Sequence, residues 1–133
     1  MNYWLLKTEP TTYAYDSLEK DGRTVWDGVG NAVALKHLRS MAVGDEALIY
    51  HTGKEKQVVG VAKVTKAAYP DPAKDDPKLV VVDLKPVRRV GKPTTLAQVK
   101  GDKRFEGWEL VRLPRLSVMP VTAERFKLLA QGL

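Results

Sequence analysis

Hydrophobic and polar positions alternate in short blocks along the chain, and this pattern predicts several β-strands. The alternation begins at residues 2–7, where Tyr3 and Leu5 would face one side of a sheet and Trp4 and Leu6 the other. Apolar and β-branched residues without helical period predict more strands further along. The predicted extended segments are residues 24–26, 46–51, 58–68, 79–87 and 116–121, with Gly91-Lys92-Pro93 ending the strand at 79–87.

Helical spacing occurs in shorter segments between the predicted strands. Asn31 is typical of a helix N-cap, and apolar residues follow it at helical intervals. Thr95 and Gln98 match a capping box, and Thr122 can cap a last helix through residue 130. Residues 15–20 can form one or two helical turns. Strands with short helices inserted between them predict a compact mixed α+β barrel rather than a doubly wound parallel sheet.

Length and composition narrow the class of protein. The 133 residues predict a single domain over residues 1–133, with 44% hydrophobic content. The chain has no cysteine, which excludes disulfides, thiolate metal ligands and cysteine nucleophiles. Its two histidines lack metal-ligand spacing, so we expect neither metal nor cofactor. The sequence has neither an apolar run of bilayer length nor a secretory signal, so we expect a protein without membrane contact that is cytoplasmic or, in a eukaryote, nuclear. We also expect a monomer.

The positive charge of the chain is concentrated in one stretch. The formal net charge is +6, and residues 85–104 contain seven basic residues against one acid, Asp102. An even charge distribution would indicate solubility alone, whereas a cluster of this kind is typical of phosphate contacts. We therefore predict that Lys100, Lys103 and Arg104 contact a nucleic-acid backbone.

Four segments carry more polar and aromatic side chains than a core requires, namely residues 4–10, 26–31, 50–53 and 112–120. Polar groups at strand ends are often binding groups, and glycines before a helix start leave backbone amides open to a ligand. Each segment also has a structural interpretation. Trp26 can be a core residue, Asn31 a cap alone, His51 a hydrogen-bonded structural residue, and the two arginines near Pro114 a surface coat.

These segments together resemble the EVE domain family over essentially the whole chain. The resemblance lies in the strings Tyr3-Trp4-Leu5-Leu6-Lys7-Thr8-Glu9-Pro10, Trp26-Asp27-Gly28-Val29 with Asn31, Tyr50-His51, Val58-Val59-Gly60, Tyr69-Pro70-Asp71-Pro72 and Arg115-Leu116-Ser117-Val118-Met119-Pro120-Val121. It implies a PUA-like fold, a mixed β-barrel with short helices packed around it. It also implies binding of modified bases in DNA or RNA, such as 5-substituted cytosines. The chain departs from the family pattern at Gly30, usually Arg, and at Thr52, commonly Ser.

A base-binding module of this kind needs aromatic walls, edge-reading polar groups and cations near phosphate. A base in a duplex would have to flip out of the stack or be met in a single strand. On this scheme Trp26 and Tyr50 are the walls, Asn31, His51 and Ser117 the hydrogen-bonding groups, and Lys7 and Arg115 the cations at the mouth. The predicted binding set is Lys7, Thr8, Trp26, Asn31, Tyr50, His51, Arg115, Leu116 and Ser117.

Three other functions are alternatives to the recognition of a modified base. Ser117, His51 and Asp27 could form a catalytic triad, but Ser117 lies in a strand-like string without a nucleophile elbow, so we expect no enzyme. A general RNA-binding module without preference for a modification is the main alternative. A protein–protein adaptor is the third, and its contacts need not share the steep salt dependence of nucleic-acid binding.

Overall fold

The structure is a computed structural model that describes all residues 1–133, and it has a mixed α+β fold. Six strands form one sheet. This confirms the predicted fold class, and each predicted extended segment overlaps one strand, with differences at the ends. The strands are β1 (Tyr3–Thr8), β2 (Thr24–Trp26), β3 (Glu46–His51), β4 (Gln57–Pro70), β5 (Val80–Thr95) and β6 (Val118–Val121).

The order of the strands in the sheet is β2-β5-β4-β3-β1-β6. All neighbours are antiparallel except β1 and β3, which run parallel from Tyr3 beside Glu46 to Thr8 beside His51. The two chain ends meet in this sheet, since β1 pairs with β6 and the Lys7 backbone N–H donates to the Ser117 carbonyl at 2.9 Å. The convergence of the N-terminal and late segments is therefore confirmed.

Five short helices connect or cover the strands. Asn31, Thr95 and Thr122 cap helices as the sequence predicts: each side chain accepts from backbone N–H groups of the first helical turn. The sequence pattern did not reveal α4 or the 3-10 turn at Lys103–Phe105 before it. The helices are α1 (Tyr15–Asp21), α2 (Ala32–Ser40), α3 (Leu96–Lys100), α4 (Glu109–Arg112) and α5 (Ala123–Gln131).

The prediction that Gly91-Lys92-Pro93 ends the fifth strand is wrong, because β5 continues to Thr95. Its pairing with β4 passes from Gly60–Arg89 directly to Val58–Thr94, so residues 90–93 stand opposite Val59 alone. Pro93 lies in this bulge, where its missing N–H removes no ladder hydrogen bond. Glycine and proline, which usually mark the end of a strand, here mark an irregularity within a strand.

The sheet and helices enclose one connected hydrophobic core, which draws on every strand and all five helices. Trp108, Tyr15 and Phe105 are its largest fully buried side chains. No helix is long and apolar enough to cross a membrane. The sheet curves strongly, since residues of β2 and β1 line one cleft although three strands separate them in the sheet order.

Candidate functional site

A cleft of about 490 Å³ opens where the curved sheet does not close on itself. No ladder joins the edge strand β2 to β1 or β6, and the cleft occupies this gap. We call it the β2 cleft. Its volume lies within the range of about 300–1,000 Å³ that small-molecule sites in proteins occupy. The residues that line it are Lys7, Thr8, Thr12, Tyr13, Thr24, Val25, Trp26, Asp27, Gly28, Val29 and Ser117.

Trp26 differs from the two other tryptophans in its indole N–H. Trp4 donates to Asp45 Oδ2 at 3.0 Å, and Trp108 donates to the Pro120 carbonyl at 3.0 Å. Trp26 lines the cleft with only 7% of its surface exposed, and its indole N–H has no protein acceptor and is not sealed in the core. Buried indole N–H groups usually find a partner, so the Trp26 N–H retains an unused capacity to donate a hydrogen bond.

Tyr13 forms a second aromatic side of the cleft that the sequence did not indicate. Its ring meets Trp26 edge-on, with centroids 6.3 Å apart and an interplanar angle of 83°. Its hydroxyl donates to Asp21 Oδ2 at 3.0 Å, and Thr8 Oγ1 donates to the Tyr13 carbonyl at 2.7 Å. These bonds fix Tyr13 from both ends. No periodicity surrounds Tyr13 in the chain, so only its contact with Trp26 reveals it.

The turn after β2 forms the lip of the cleft. Gly28 has φ of +78°, a left-handed conformation that favours glycine, so the chain can reverse directly after Trp26 and Asp27. The neighbouring Gly30 has ordinary φ and open space where a Cβ would stand. The glycine at 30 is therefore not required by the backbone, in contrast to Gly28.

Lys7 lines the cleft and is a half-buried positive charge. Its Nζ donates to the Pro114 carbonyl at 3.0 Å and stands 5.7 Å from the Tyr50 ring centroid. No carboxylate pairs with it. Burial lowers the pKa of the Lys7 ammonium. A partly desolvated cation with only neutral partners favours the approach of an anion, such as phosphate.

Three other predicted residues lie in a neighbouring hollow of about 390 Å³ rather than in the β2 cleft. Asn31, Arg115 and Leu116 line it together with apolar side chains that include Val33 and Leu113. Asn31 Oδ1 accepts from the N–H groups of Val33 and Ala34, so its oxygen is used as a cap while its amide N–H₂ has no protein acceptor. Leu116 is largely buried in the core.

Tyr50 and His51 lie at the end of β3 but away from the β2 cleft. Tyr50 lines a separate hollow that also contains Lys7. His51 is buried, and its Nε2 accepts from the Tyr15 backbone N–H at 3.0 Å, so Nδ1 carries the proton and donates to Glu55 Oε1 at 2.9 Å. Both ring nitrogens thus hold the N-terminus of α1 to the loop before β4.

The triad considered from sequence is not assembled. Ser117 and Asp27 both line the β2 cleft, whereas His51 lies outside it and directs its ring nitrogens to Tyr15 and Glu55. No cluster of three or more His, Asp or Glu side chains is arranged to hold a metal ion.

The three residues predicted to contact phosphate have different surroundings. Arg104 is engaged by Asp102, with Nη2 to Oδ2 at 2.6 Å; this pairing raises the pKa of Arg104 and lowers that of Asp102 to about 2. Lys103 is exposed beside it. Lys100 lines the hollow that contains Lys7 and Tyr50. Arg89, from the same basic stretch, is neutralised by Asp16 and Glu19.

The chain matches the model of one protein family over nearly its whole length. The EVE domain model covers residues 2–132, and the chain belongs to the EVE domain family. Among curated relatives, rat (Rattus norvegicus) thymocyte nuclear protein 1 is 31% identical over 94% of this chain and 70% of its own length.

Solved structures of similar chains agree with this assignment. The NMR structure of Rpa0253 from Rhodopseudomonas palustris has a TM-score of 0.92 at 40% identity, covering 98% of this chain and 92% of its own. The crystal structure of the human THYN1 protein in complex with 5-methylcytosine-containing DNA has a TM-score of 0.87 at 30% identity, covering 96% and 94%. An ASCH protein from Zymomonas mobilis, 13% identical with a TM-score of 0.59 and covering 95% and 92%, shares the fold alone. The expected PUA-like α+β fold is confirmed.

Proposed function

We propose that this protein is a nucleic-acid-binding module that takes a single nucleobase, such as 5-methylcytosine, into the β2 cleft. The observation that carries the proposal is Trp26, which lines a cleft of nucleobase-accommodating size and whose indole N–H has no protein acceptor. Lys7, which forms no ion pair, lines the same cleft. A base is flat, apolar on its faces and polar on its edges. The Trp26 and Tyr13 rings suit the faces, while the cleft's hydroxyls suit the edge.

The polar rim of the cleft offers both donors and acceptors to a base edge. Ser117, Thr12 and Thr24 contribute hydroxyl groups, and Asp27 contributes a carboxylate that forms no ion pair within the protein. A carboxylate can accept from the exocyclic amino group of cytosine. Because an unpaired buried polar edge costs about 1–3 kcal/mol, these groups would select among bases.

Free-energy magnitudes set how selective such a cleft can be. Stacking on an aromatic side chain contributes about 1–3 kcal/mol per base, which offsets the few kcal/mol needed to unstack a base from a duplex. Burying one methyl group adds roughly 0.8 kcal/mol. Discrimination between cytosine and 5-methylcytosine through burial of the methyl alone should therefore be several-fold.

The relatives support the same class of ligand. The human THYN1 protein, whose fold this chain shares over nearly its whole length, was crystallised with 5-methylcytosine-containing DNA. The role proposed for this chain is binding without catalysis, since His51, the imidazole of the conceivable triad, lies outside the cleft and both its ring nitrogens are bonded elsewhere.

The test is equilibrium titration of wild-type protein and Trp26→Phe with short oligonucleotides that differ only in cytosine or 5-methylcytosine. We expect several-fold tighter binding of the methylated strand by wild type. Phe keeps an aromatic wall but lacks the N–H, so Trp26→Phe should bind about two- to ten-fold more weakly, as expected for one lost hydrogen bond. Thermal melts of both proteins serve as the folding control.

A parallel series in RNA decides between this proposal and the main alternative. Equal binding of methylated and unmethylated strands, with RNA preferred over DNA, would identify a general RNA-binding module. Mass spectrometry of nucleosides recovered with the protein from total cellular DNA and RNA would then name the natural base, if a modified one is enriched.

A further inference from the structure

A second hollow, of about 310 Å³, shares Lys7 with the β2 cleft and is lined by three lysines. We call it the lysine hollow. Lys56 directly precedes β4 and Lys100 ends α3, so distant parts of the chain bring the charges together. Tyr50, Leu96 and Pro114 are among the other lining residues, and no acidic residue lines the hollow.

The charges of the lysine hollow are not neutralised by the protein. None of the protein's ion pairs involves a lysine. Three acids within two residues of the lysines in the chain have other partners: Glu55 accepts from His51, Glu9 accepts from Thr11 and Thr52, and Asp102 pairs with Arg104. Three unpaired ammonium groups around one concavity repel one another, and a bound anion would relieve this repulsion.

Lys56 is also the only non-glycine residue with a left-handed backbone, at φ +47°. Its carbonyl accepts from the Leu96 N–H at 2.8 Å, which ties the residue before β4 to the first residue of α3, the helix that ends at Lys100. A left-handed lysine costs about 1–2 kcal/mol relative to glycine. Residues held in such conformations cluster at ligand-binding sites, where the side chain serves a purpose.

We propose that the lysine hollow binds the phosphodiester next to the nucleotide whose base enters the β2 cleft. Lys7 borders both cavities. A nucleic-acid strand with one base in the β2 cleft would therefore have its sugar-phosphate backbone run past Lys7 toward Lys56 and Lys100. The hollow around Asn31 and Arg115 is mostly apolar and offers a single cation, which favours the lysine hollow as the path of the charged backbone. This inference rests on the base-binding function proposed above.

The experiment is titration with a short single-stranded DNA of cytosine and adenine that contains one central 5-methylcytosine. Each phosphate is replaced in turn by a neutral methylphosphonate. The variants are Lys56→Asn, since asparagine tolerates a left-handed backbone, and Lys100→Gln. The matched controls are Lys54→Asn and Lys127→Gln, which remove exposed lysines outside the hollow. Thermal melts check the folding of all four.

We expect each change in the hollow to weaken binding about five-fold, the upper range for an exposed ion pair, and each control to have less than a two-fold effect. One methylphosphonate beside the 5-methylcytosine should weaken wild-type binding to a similar degree. It should have no further effect on the double variant Lys56→Asn/Lys100→Gln. The salt dependence of the double variant should fall by about 0.7 in log–log slope for the lost phosphate contact.

Three results would overturn the inference. The first is a methylphosphonate effect that persists unchanged in the double variant. The second is equal loss in the control variants, which would indicate diffuse attraction. The third is loss of inorganic phosphate binding, measured by calorimetry, with unchanged affinity for DNA, since this would indicate a site for free phosphate. If the protein does not distinguish 5-methylcytosine from cytosine but the methylphosphonate still weakens binding as expected, only the base-binding proposal is contradicted.

Discussion

Trp26 and Trp108 are both buried, yet their surroundings differ in the way that separates a binding residue from a core residue. Trp108 lies with Phe105 and Arg125 in a C-terminal group that we call the Trp108 cluster. There the ring centroids of Trp108 and Phe105 are 5.9 Å apart, and the Arg125 guanidinium stands 6.0 Å from the Trp108 ring. The Trp108 indole N–H donates to the Pro120 backbone carbonyl. Trp26 has an edge-on aromatic neighbour, an open cleft and no acceptor.

The comparison shows that burial alone does not distinguish the two functions of a tryptophan. What distinguishes them is whether the protein satisfies the polar edge of the ring. A satisfied N–H, as in Trp108, completes a packed interior. An unsatisfied N–H at the wall of a cleft leaves a hydrogen bond for a ligand to complete.

The largest expected effect is the loss of stability caused by Trp108→Ala. This variant should lose about 3–5 kcal/mol of unfolding free energy, because truncation leaves a cavity in a closed core. Trp26→Ala should lose clearly less, since solvent in the β2 cleft can occupy the space. It should instead lose about 1–3 kcal/mol of base-binding free energy. Denaturant unfolding and titration of both variants measure the difference. Equal losses of stability in the two variants would indicate that Trp26 is a core residue like Trp108 and does not form a ligand-binding wall.

A smaller effect is expected at Asn31, where stability and binding can be separated. Asn31→Ala removes the cap that Val33 and Ala34 donate to and should cost about 1 kcal/mol of stability. Asn31→Ser keeps a capping oxygen but lacks the amide N–H₂, so it should keep the melting temperature. If Asn31 also contacts nucleic acid, Asn31→Ser binds more weakly. Normal binding by this variant would make Asn31 a cap alone.

Gly30→Arg restores the residue that the family pattern usually has at this position. Because Gly30 has ordinary φ and open space around it, the arginine should fit without strain and raise affinity for DNA about five-fold. The control is Gly28→Arg, which forces a side chain onto φ of +78° and should lose about 1–2 kcal/mol of stability. Unchanged affinity in a stable Gly30→Arg protein would place residue 30 away from the bound strand.

The smallest expected effect is a shift in the pH dependence of binding. Lys7 attracts an anion only when protonated, and burial lowers its pKa from the ordinary 10.5. Binding should therefore already weaken as the pH rises through values below 10.5. Lys7→Arg should move this loss to higher pH, because guanidinium stays charged. An oligonucleotide of cytosine and adenine avoids deprotonation of the bases. Identical pH profiles would contradict a role for the Lys7 charge.

The sequence by itself determined the local elements and the convergence of the chain ends. Alternation at residues 2–7 marked β1, and the caps at Asn31, Thr95 and Thr122 marked three helix starts, because these signals depend only on near neighbours in the chain. The family motifs directed attention to Lys7, Trp26 and Ser117, which the structure brings together in the β2 cleft.

Only the tertiary structure decided which of those residues face an open cavity. His51 and Tyr50 are adjacent to each other in the same motif, yet one is fixed between Tyr15 and Glu55 and the other lines the lysine hollow. Tyr13 and Lys56 carry no pattern in the chain, and the continuation of β5 past Pro93 follows from its pairing with β4. These features depend on contacts between residues far apart in sequence, and periodicity along one segment does not contain that information.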